Sequence, residues 1–171
     1  MIGSSQMQAG IVIERMRRED LGEIVRLEKE SFTDPWPRKG FEDQLEDGNS
    51  IMLVGRFGPK EGEIAGYLCA YLVLEEMQLA SVAVAPEFRG RGIARSLAAE
   101  MIKIGTAAKA SEIWLDVRES NAPARRLYEK LGFREVYRRK NYYHKPKEDA
   151  LVLFRPAVLS AEWMAASNAK K

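Results

Sequence analysis

Val82-Ala83-Val84-Ala85-Pro86-Glu87-Phe88-Arg89-Gly90-Arg91-Gly92-Ile93-Ala94 is the stretch whose reading decides the fold. A short apolar strand runs into a loop with two glycines and two arginines, and a helix starts at once. The N–H groups at the start of a helix have no intrahelical partner and carry partial positive charge. Glycine lets such a backbone approach an anion closely, and successive N–H groups form an anion-binding nest. Arg89, Arg91 and Arg95 add full charges, so the stretch suits a diphosphate. A basic surface turn capped by glycine is the plainer reading of the same spacing. The Gly-Lys-Ser/Thr ending of a Walker loop is absent, and the two glycines are not followed by the third that a G-x-G-x-x-G pattern needs, since Arg95 stands there with Ser96 after it.

Working outward, apolar periodicity and turn residues predict alternating elements. Upstream, residues 11–16 form a strand, and Leu21, Ile24, Val25 and Phe32 repeat at helical spacing. Asp34-Pro35-Trp36-Pro37 breaks that helix, because each proline disfavours helix in the residue before it. A short helix follows around residues 39–45. Strands over 51–54, 64–74 and 78–84 read as a meander, with a turn at 58–62. Downstream, a helix over 92–109 leads into the strand Ile113-Trp114-Leu115-Asp116-Val117. A helix over 121–131 has Asn121 as N-cap, Pro123 in its first turn and Gly132 as its stop. Strands over 133–143 and 151–154 close the domain as a hairpin. The order β-α-α-β-β-β-α-β-α-β-β predicts a mixed α/β fold, with a central sheet of about seven strands and about four helices. Residues 1–10 are expected to be a flexible leader, 11–155 the domain, and 156–171 a tail with a short helical tendency.

The chain has 171 residues, 46% of them apolar and 30% charged, which suits one globular domain. Its 27 basic and 25 acidic residues leave a net charge of +2, too balanced for general nucleic-acid binding. One cysteine, Cys69, excludes an internal disulfide and fits a reducing compartment, with the thiol in the core of a central strand. Together with the one histidine, His144, it does not make a tetrahedral zinc site, so no metal is expected. No apolar run reaches the ~20 residues needed to span a membrane, and the first ten residues lack an apolar signal centre. The expectation is a cytoplasmic protein with no membrane partner and no sequence-specific nucleic acid.

Arg89-Gly90-Arg91-Gly92-Ile93-Ala94 resembles the R/Q-x-x-G-x-G/A signature of GNAT acetyltransferases, and the order of elements over about residues 11–155 matches that family's fold. The resemblance implies that Arg89 to Arg95 hold the diphosphate of acetyl-CoA. It implies that Val82, Ala83 and Val84 pair with the pantetheine arm, one of their N–H groups polarising the thioester carbonyl. Leu127-Tyr128-Glu129-Lys130-Leu131-Gly132-Phe133 resembles the segment whose tyrosine protonates the departing thiolate, which makes Tyr128 the general acid. Asn121, two turns earlier on the same face, is implied to contact the cofactor besides capping its helix.

Trp114-Leu115-Asp116-Val117-Arg118-Glu119-Ser120-Asn121 resembles the RimI type, the ribosomal-protein alanine N-acetyltransferases. That type carries glutamate where this chain has Asp116, one methylene shorter. Two readings of Asp116 stand: a general base, direct or through water, or a structural carboxylate paired with an arginine such as Arg118. Glu75 and Glu76 are alternative bases, with Glu75 also a substrate contact. Arg138-Arg139-Lys140-Asn141-Tyr142-Tyr143 resembles the closing hairpin that borders the peptide site in that type, and Phe32 to Trp36 resembles its first-helix turn. Tyr142 then lines the groove for the substrate's first residues; aromatic cover on an edge hairpin is the other reading. The expected partner is a protein or peptide N-terminus, such as the N-terminal alanine of a small-subunit ribosomal protein. A lysine or small-amine acetyltransferase and a non-catalytic acyl-CoA-binding regulator are the rival readings.

Overall fold

The computed structural model of the chain describes residues 10–58 and 62–168. Residues 1–9 of the expected leader and 59–61 of the expected turn lie outside the described residues. Among the described residues, seven strands and five α-helices follow one another as β1 (Ile11–Arg15), α1 (Leu21–Ser31), α2 (Arg38–Glu46), β2 (Ser50–Phe57), β3 (Glu63–Val73), β4 (Glu76–Val84), α3 (Ile93–Ala107), β5 (Glu112–Arg118), α4 (Ala122–Lys130), β6 (Arg134–His144), β7 (Lys147–Pro156) and α5 (Ala161–Asn168). The sheet order is β1-β2-β3-β4-β5-β7-β6. β4 and β5 run parallel, while β1–β2, β2–β3, β5–β7 and β6–β7 are antiparallel, so the sheet is mixed as expected. Among the described residues no helix is long and apolar enough to cross a membrane.

Two compact units make up the chain: Met1–Tyr71 with Ala80–Met101, and Leu72–Leu79 with Ile102–Lys171. In the first, Leu21, Ile24 and Leu27 form the buried stripe of α1, with i, i+3, i+6 spacing. Phe41 of α2, Ile51 to Val54 of β2 and Tyr67, Leu68 and Cys69 of β3 are also buried, so Cys69 is a core residue. β2 continues three residues past the apolar run, through a register shift at Gly55/Arg56. Arg56 is buried there because carboxylates meet it: Nε donates to Glu14 Oε1 at 2.6 Å and Nη2 donates to Asp20 Oδ1. A buried guanidinium is tolerable only when paired in this way.

The second unit is built on β5, whose Ile113, Leu115 and Val117 are buried while Glu112, Trp114, Asp116 and Arg118 alternate to the other face. β7 pairs with β5 from Glu112↔Pro156 to Arg118↔Ala150. Asn121 caps α4, accepting from the Ala124 amide at 3.2 Å, with Pro123 in the first turn. Gly132, at φ 87°, ends the helix in the left-handed region. The fifth helix, α5, arises in the segment after Pro156. Trp163 Nε1 donates to the Gly132 carbonyl at 2.8 Å, the ring meets Phe154 edge-on, and the Arg134 guanidinium lies 3.8 Å over it. Trp163 therefore covers apolar surface. Trp163→Ala is expected to cost about 2 kcal/mol, below the range for a fully buried tryptophan, as read by urea denaturation. An unchanged midpoint would mean that α5 adds nothing to stability.

Candidate active site

One candidate group, in the first unit, is the β4–α3 connection. Val82, Ala83 and Val84 end β4, with Ala83 pointing inward. β3 comes very close here: a Cβ on Gly66 would lie 2.7 Å from the Ala83 carbonyl oxygen, so only glycine fits. A 3-10 turn over Pro86–Phe88 buries Phe88, and the chain then passes through Gly90 at φ 74° and Gly92 at φ 78°. Both glycines sit in the left-handed region that side chains disfavour. Ser96 N donates to Gly92 O at 3.0 Å and closes the first turn of α3, which Ile93 and Ala94 begin. The helix thus starts behind a residue with no side chain to cap it, and its first amides, from Ile93 on, lack intrahelical partners.

The cations around this loop are distributed by the fold. Arg89 Nε donates to the Val84 carbonyl at 3.2 Å, which ties the loop back to the end of β4. The Arg91 guanidinium lies 5.1 Å over the Phe57 ring and 5.4 Å over the Phe88 ring. Arg95 is exposed on the first turn of α3. Two left-handed glycines, a helix N-terminus and three guanidinium groups are the chemistry of a diphosphate cradle, and the residues present fit such a group.

A further candidate group, in the second unit, lies on β5, α4 and the β6–β7 hairpin. β4 and β5 are registered from Glu76↔Glu112 to Leu79↔Leu115. Asp116 follows on the outward face of β5. Its Oδ1 is buried, lies 3.4 Å from Arg139 Nε of β6, and has no aligned hydrogen-bond partner. Arg139 is therefore an arginine that stands beside Asp116. Arg118 turns to the hairpin end, donating to the Lys145 and Pro146 carbonyls at 3.2 Å each and to Glu148 Oε2 at 3.4 Å. Its guanidinium lies 4.0 Å over the Tyr143 ring. Glu148 also accepts from the Ser120 amide, and the Ser120 and Arg118 donors hold its carboxyl below the ordinary value.

Tyr128 is 4% exposed, with its ring edge-on to Phe133 at 5.6 Å. Burial pushes its phenol well above the ordinary tyrosine value, and Tyr143 adds to the effect. Tyr143 is pushed up to about 12, first by burial and then by the charge of Asp116. Tyr128 is thus linked electrostatically to Tyr143 and Tyr143 to Asp116, while burial is the main reason that both phenols hold their protons. Tyr142 is about half exposed and edge-on to Tyr143 at 5.2 Å.

Glu75 stands apart from this set. It is exposed in the β3–β4 turn, and its carbonyl accepts from the Ser111 and Glu112 amides, which start β5. That places it about five strand positions, roughly 16 Å, from Asp116. Glu76, paired with Glu112, lies at the same end. The expectation that either one serves as base or touches the acceptor near Asp116 finds no geometric support. Tyr143 and Arg139 were not singled out from the sequence. The only signal for them was membership of the Arg138–Tyr143 run, which does not say which side chain reaches β5.

The profile of the Acetyltransferase (GNAT) family matches residues 21–133. The chain belongs to this family, and it is an acyltransferase. Among its relatives, the Escherichia coli [ribosomal protein bS18]-alanine N-acetyltransferase is 32% identical over 147 residues, covering 84% of this chain and 96% of its own. The crystal structure of the ribosomal-protein-S18-alanine N-acetyltransferase from Escherichia coli superposes with a TM-score of 0.77 at 29% identity, over 89% of this chain and 97% of that one. Arabidopsis thaliana NAA60 in complex with acetyl-CoA shares the fold, with a TM-score of 0.77 at 20% identity over 85% of this chain and 98% of its own.

Proposed function

We propose that this enzyme acetylates the N-terminal α-amine of a ribosomal protein that begins with alanine, as the names of its Escherichia coli relatives say of those proteins, with acetyl-CoA as donor. When bound, acetyl-CoA supplies an activated acetyl thioester. The observation that carries the reading is the glycine-flanked start of α3 beside three arginines. Arg89, Gly90, Arg91, Gly92, Ile93, Ala94 and Arg95 hold the diphosphate through backbone N–H groups and charge. The N–H groups of Val82, Ala83 and Val84 offer donors for the pantetheine arm and for negative charge on the thioester oxygen. Asn121 keeps its capping bond and gives its remaining amide group to the cofactor.

Asp116 accepts the proton of the incoming amine, directly or through a water, and Arg139 balances the charge that it carries at rest. Tyr128 Oη keeps its proton at working pH and delivers it to a departing thiolate. A free α-amine near pKa 8 needs only about 1.4 kcal/mol to be deprotonated at pH 7, against about 4.6 kcal/mol for lysine. A modest base of this kind suits an N-terminus. Tyr142, exposed on the hairpin, lines the acceptor's first residues. The transferase domain is taken as residues 11–155, with 156–171 as a C-terminal extension. The lone buried thiol and the bacterial relatives favour the cytoplasm as the place of work.

Mass spectrometry of two peptides tests this reading, one with a free N-terminal alanine and one with a blocked N-terminus and internal lysines. Acetylation of the first alone is expected. Acetylation of lysines alone would move the enzyme to another acceptor class, and acetylation of neither peptide despite tight CoA binding would favour a regulator.

A further inference from the structure

α1 ends in a carboxylate that the chemistry above leaves unused. Glu28 is 2% exposed. Its Oε1 accepts from the Trp36 amide at 2.9 Å, in the turn between α1 and α2. Its Oε2 accepts from the Tyr67 hydroxyl of β3 and, at 3.3 Å, from the Ser81 hydroxyl of β4. The two hydroxyls are also 3.0 Å from each other. The Trp36 ring packs on Phe41, which meets Tyr67 edge-on. Burial raises the Glu28 carboxyl above its ordinary value, while the Trp36 and Ser81 donors pull it back. A buried carboxylate is a poor way to add stability, because its desolvation offsets much of what its partners give. What it does supply is two acceptors on one side chain, each aimed at a different part of the chain.

The parts so joined are informative. Ser81 directly precedes Val82–Val84, the stretch assigned to the donor's thioester arm. The turn that Glu28 ties to it exposes Phe32, Thr33 and Asp34 on its outer side. An amine acceptor must come to that thioester, so a turn fixed at the start of that stretch stands on its route. We infer that Glu28 is a positioning residue that fixes the Phe32–Pro37 turn as a wall of the acceptor-peptide site. The inference rests on the proposed function for what the acceptor is, while the hold of Glu28 on the turn is independent of it.

Steady-state kinetics with an alanine-first peptide and acetyl-CoA, together with amide hydrogen exchange of the full chain, test this in Glu28→Ala, Glu28→Asp and Glu28→Gln. Glu28→Ala leaves the Tyr67–Ser81 hydrogen bond in place but strips Trp36 of its acceptor. Its peptide KM is expected to rise about tenfold, with acetyl-CoA KM within about twofold, the pattern of lost acceptor binding alone. Exchange at residues 33–37 should speed up. Glu28→Asp, too short to reach both sides, should show the same split even if the alanine variant does not fold. Glu28→Gln keeps an acceptor for Trp36 and should return peptide KM to within about threefold of wild type. A folded Glu28→Asp protein with wild-type peptide KM and unchanged exchange would overturn the inference, as would equal rises in both KM values. If wild-type enzyme leaves the peptide unmodified, the proposed function fails, and the exchange data still decide whether Glu28 holds the turn.

Discussion

Tyr128→Phe is expected to lower kcat by about 10²- to 10⁴-fold, the usual loss when a positioned general acid is removed, with both KM values within about twofold of wild type. The phenol is 4% exposed, and its ring already packs on Phe133, so phenylalanine keeps the packing and deletes only the proton. Burial and Tyr143 raise this phenol above the ordinary 10.0. The acid form therefore persists across the working range, and loss of this proton should produce no falling limb in the pH–rate profile below pH 10. A kcat within about threefold of wild type, in a variant with unchanged circular dichroism, would reduce Tyr128 to a packing residue.

Gly92→Val is expected to act on the other half of the reaction. Gly92 sits at φ 78°, where a β-branched residue is strongly disfavoured. Forcing that conformation costs about 1–3 kcal/mol, or else the chain abandons it and the first amides of α3 turn away from the anion. Either outcome should raise the acetyl-CoA KM about 10- to 100-fold, with peptide KM little changed, in initial-rate measurements at saturating co-substrate. Gly90 faces open space at the position of its missing Cβ, so its constraint is the backbone angle of 74° alone. Equal acetyl-CoA KM values for wild type and Gly92→Val would remove the loop from the donor site.

What could be read from the residues themselves was what depends on near neighbours. The Gly-Arg loop, the Asn121 cap and the Gly132 stop all follow from local backbone chemistry, and all three occur where expected. Partners set by distant register could not be read in this way. Asp116 faces Arg139 because β6 crosses β7 through two register shifts, at Glu135/Tyr137 and Arg139/Tyr143. A shift of one residue sends a side chain to the opposite face, so counting along the strand from a distance fails at such points. Asn141, at φ 53° within the second shift, donates its amide to Asp149 Oδ1 at 2.8 Å, which helps to fix that irregularity. The same limit hid the continuation of β2 through Arg56, since its carboxylate partners Glu14 and Asp20 stand 42 and 36 residues away. β7 begins four residues before the expected 151, because the polar Lys147–Ala150 stretch pairs with β6 and not with an apolar surface.

Calorimetric titration of the purified chain with CoA, and separately with pantetheine, bears most directly on the loop from Ala85 to Ile93. Saturable heat with CoA, none with pantetheine, and loss of the CoA signal in Gly92→Val are the predicted results. No heat with CoA, or equal affinity for CoA and for the fragment that lacks its diphosphate, would contradict a diphosphate cradle at the start of α3.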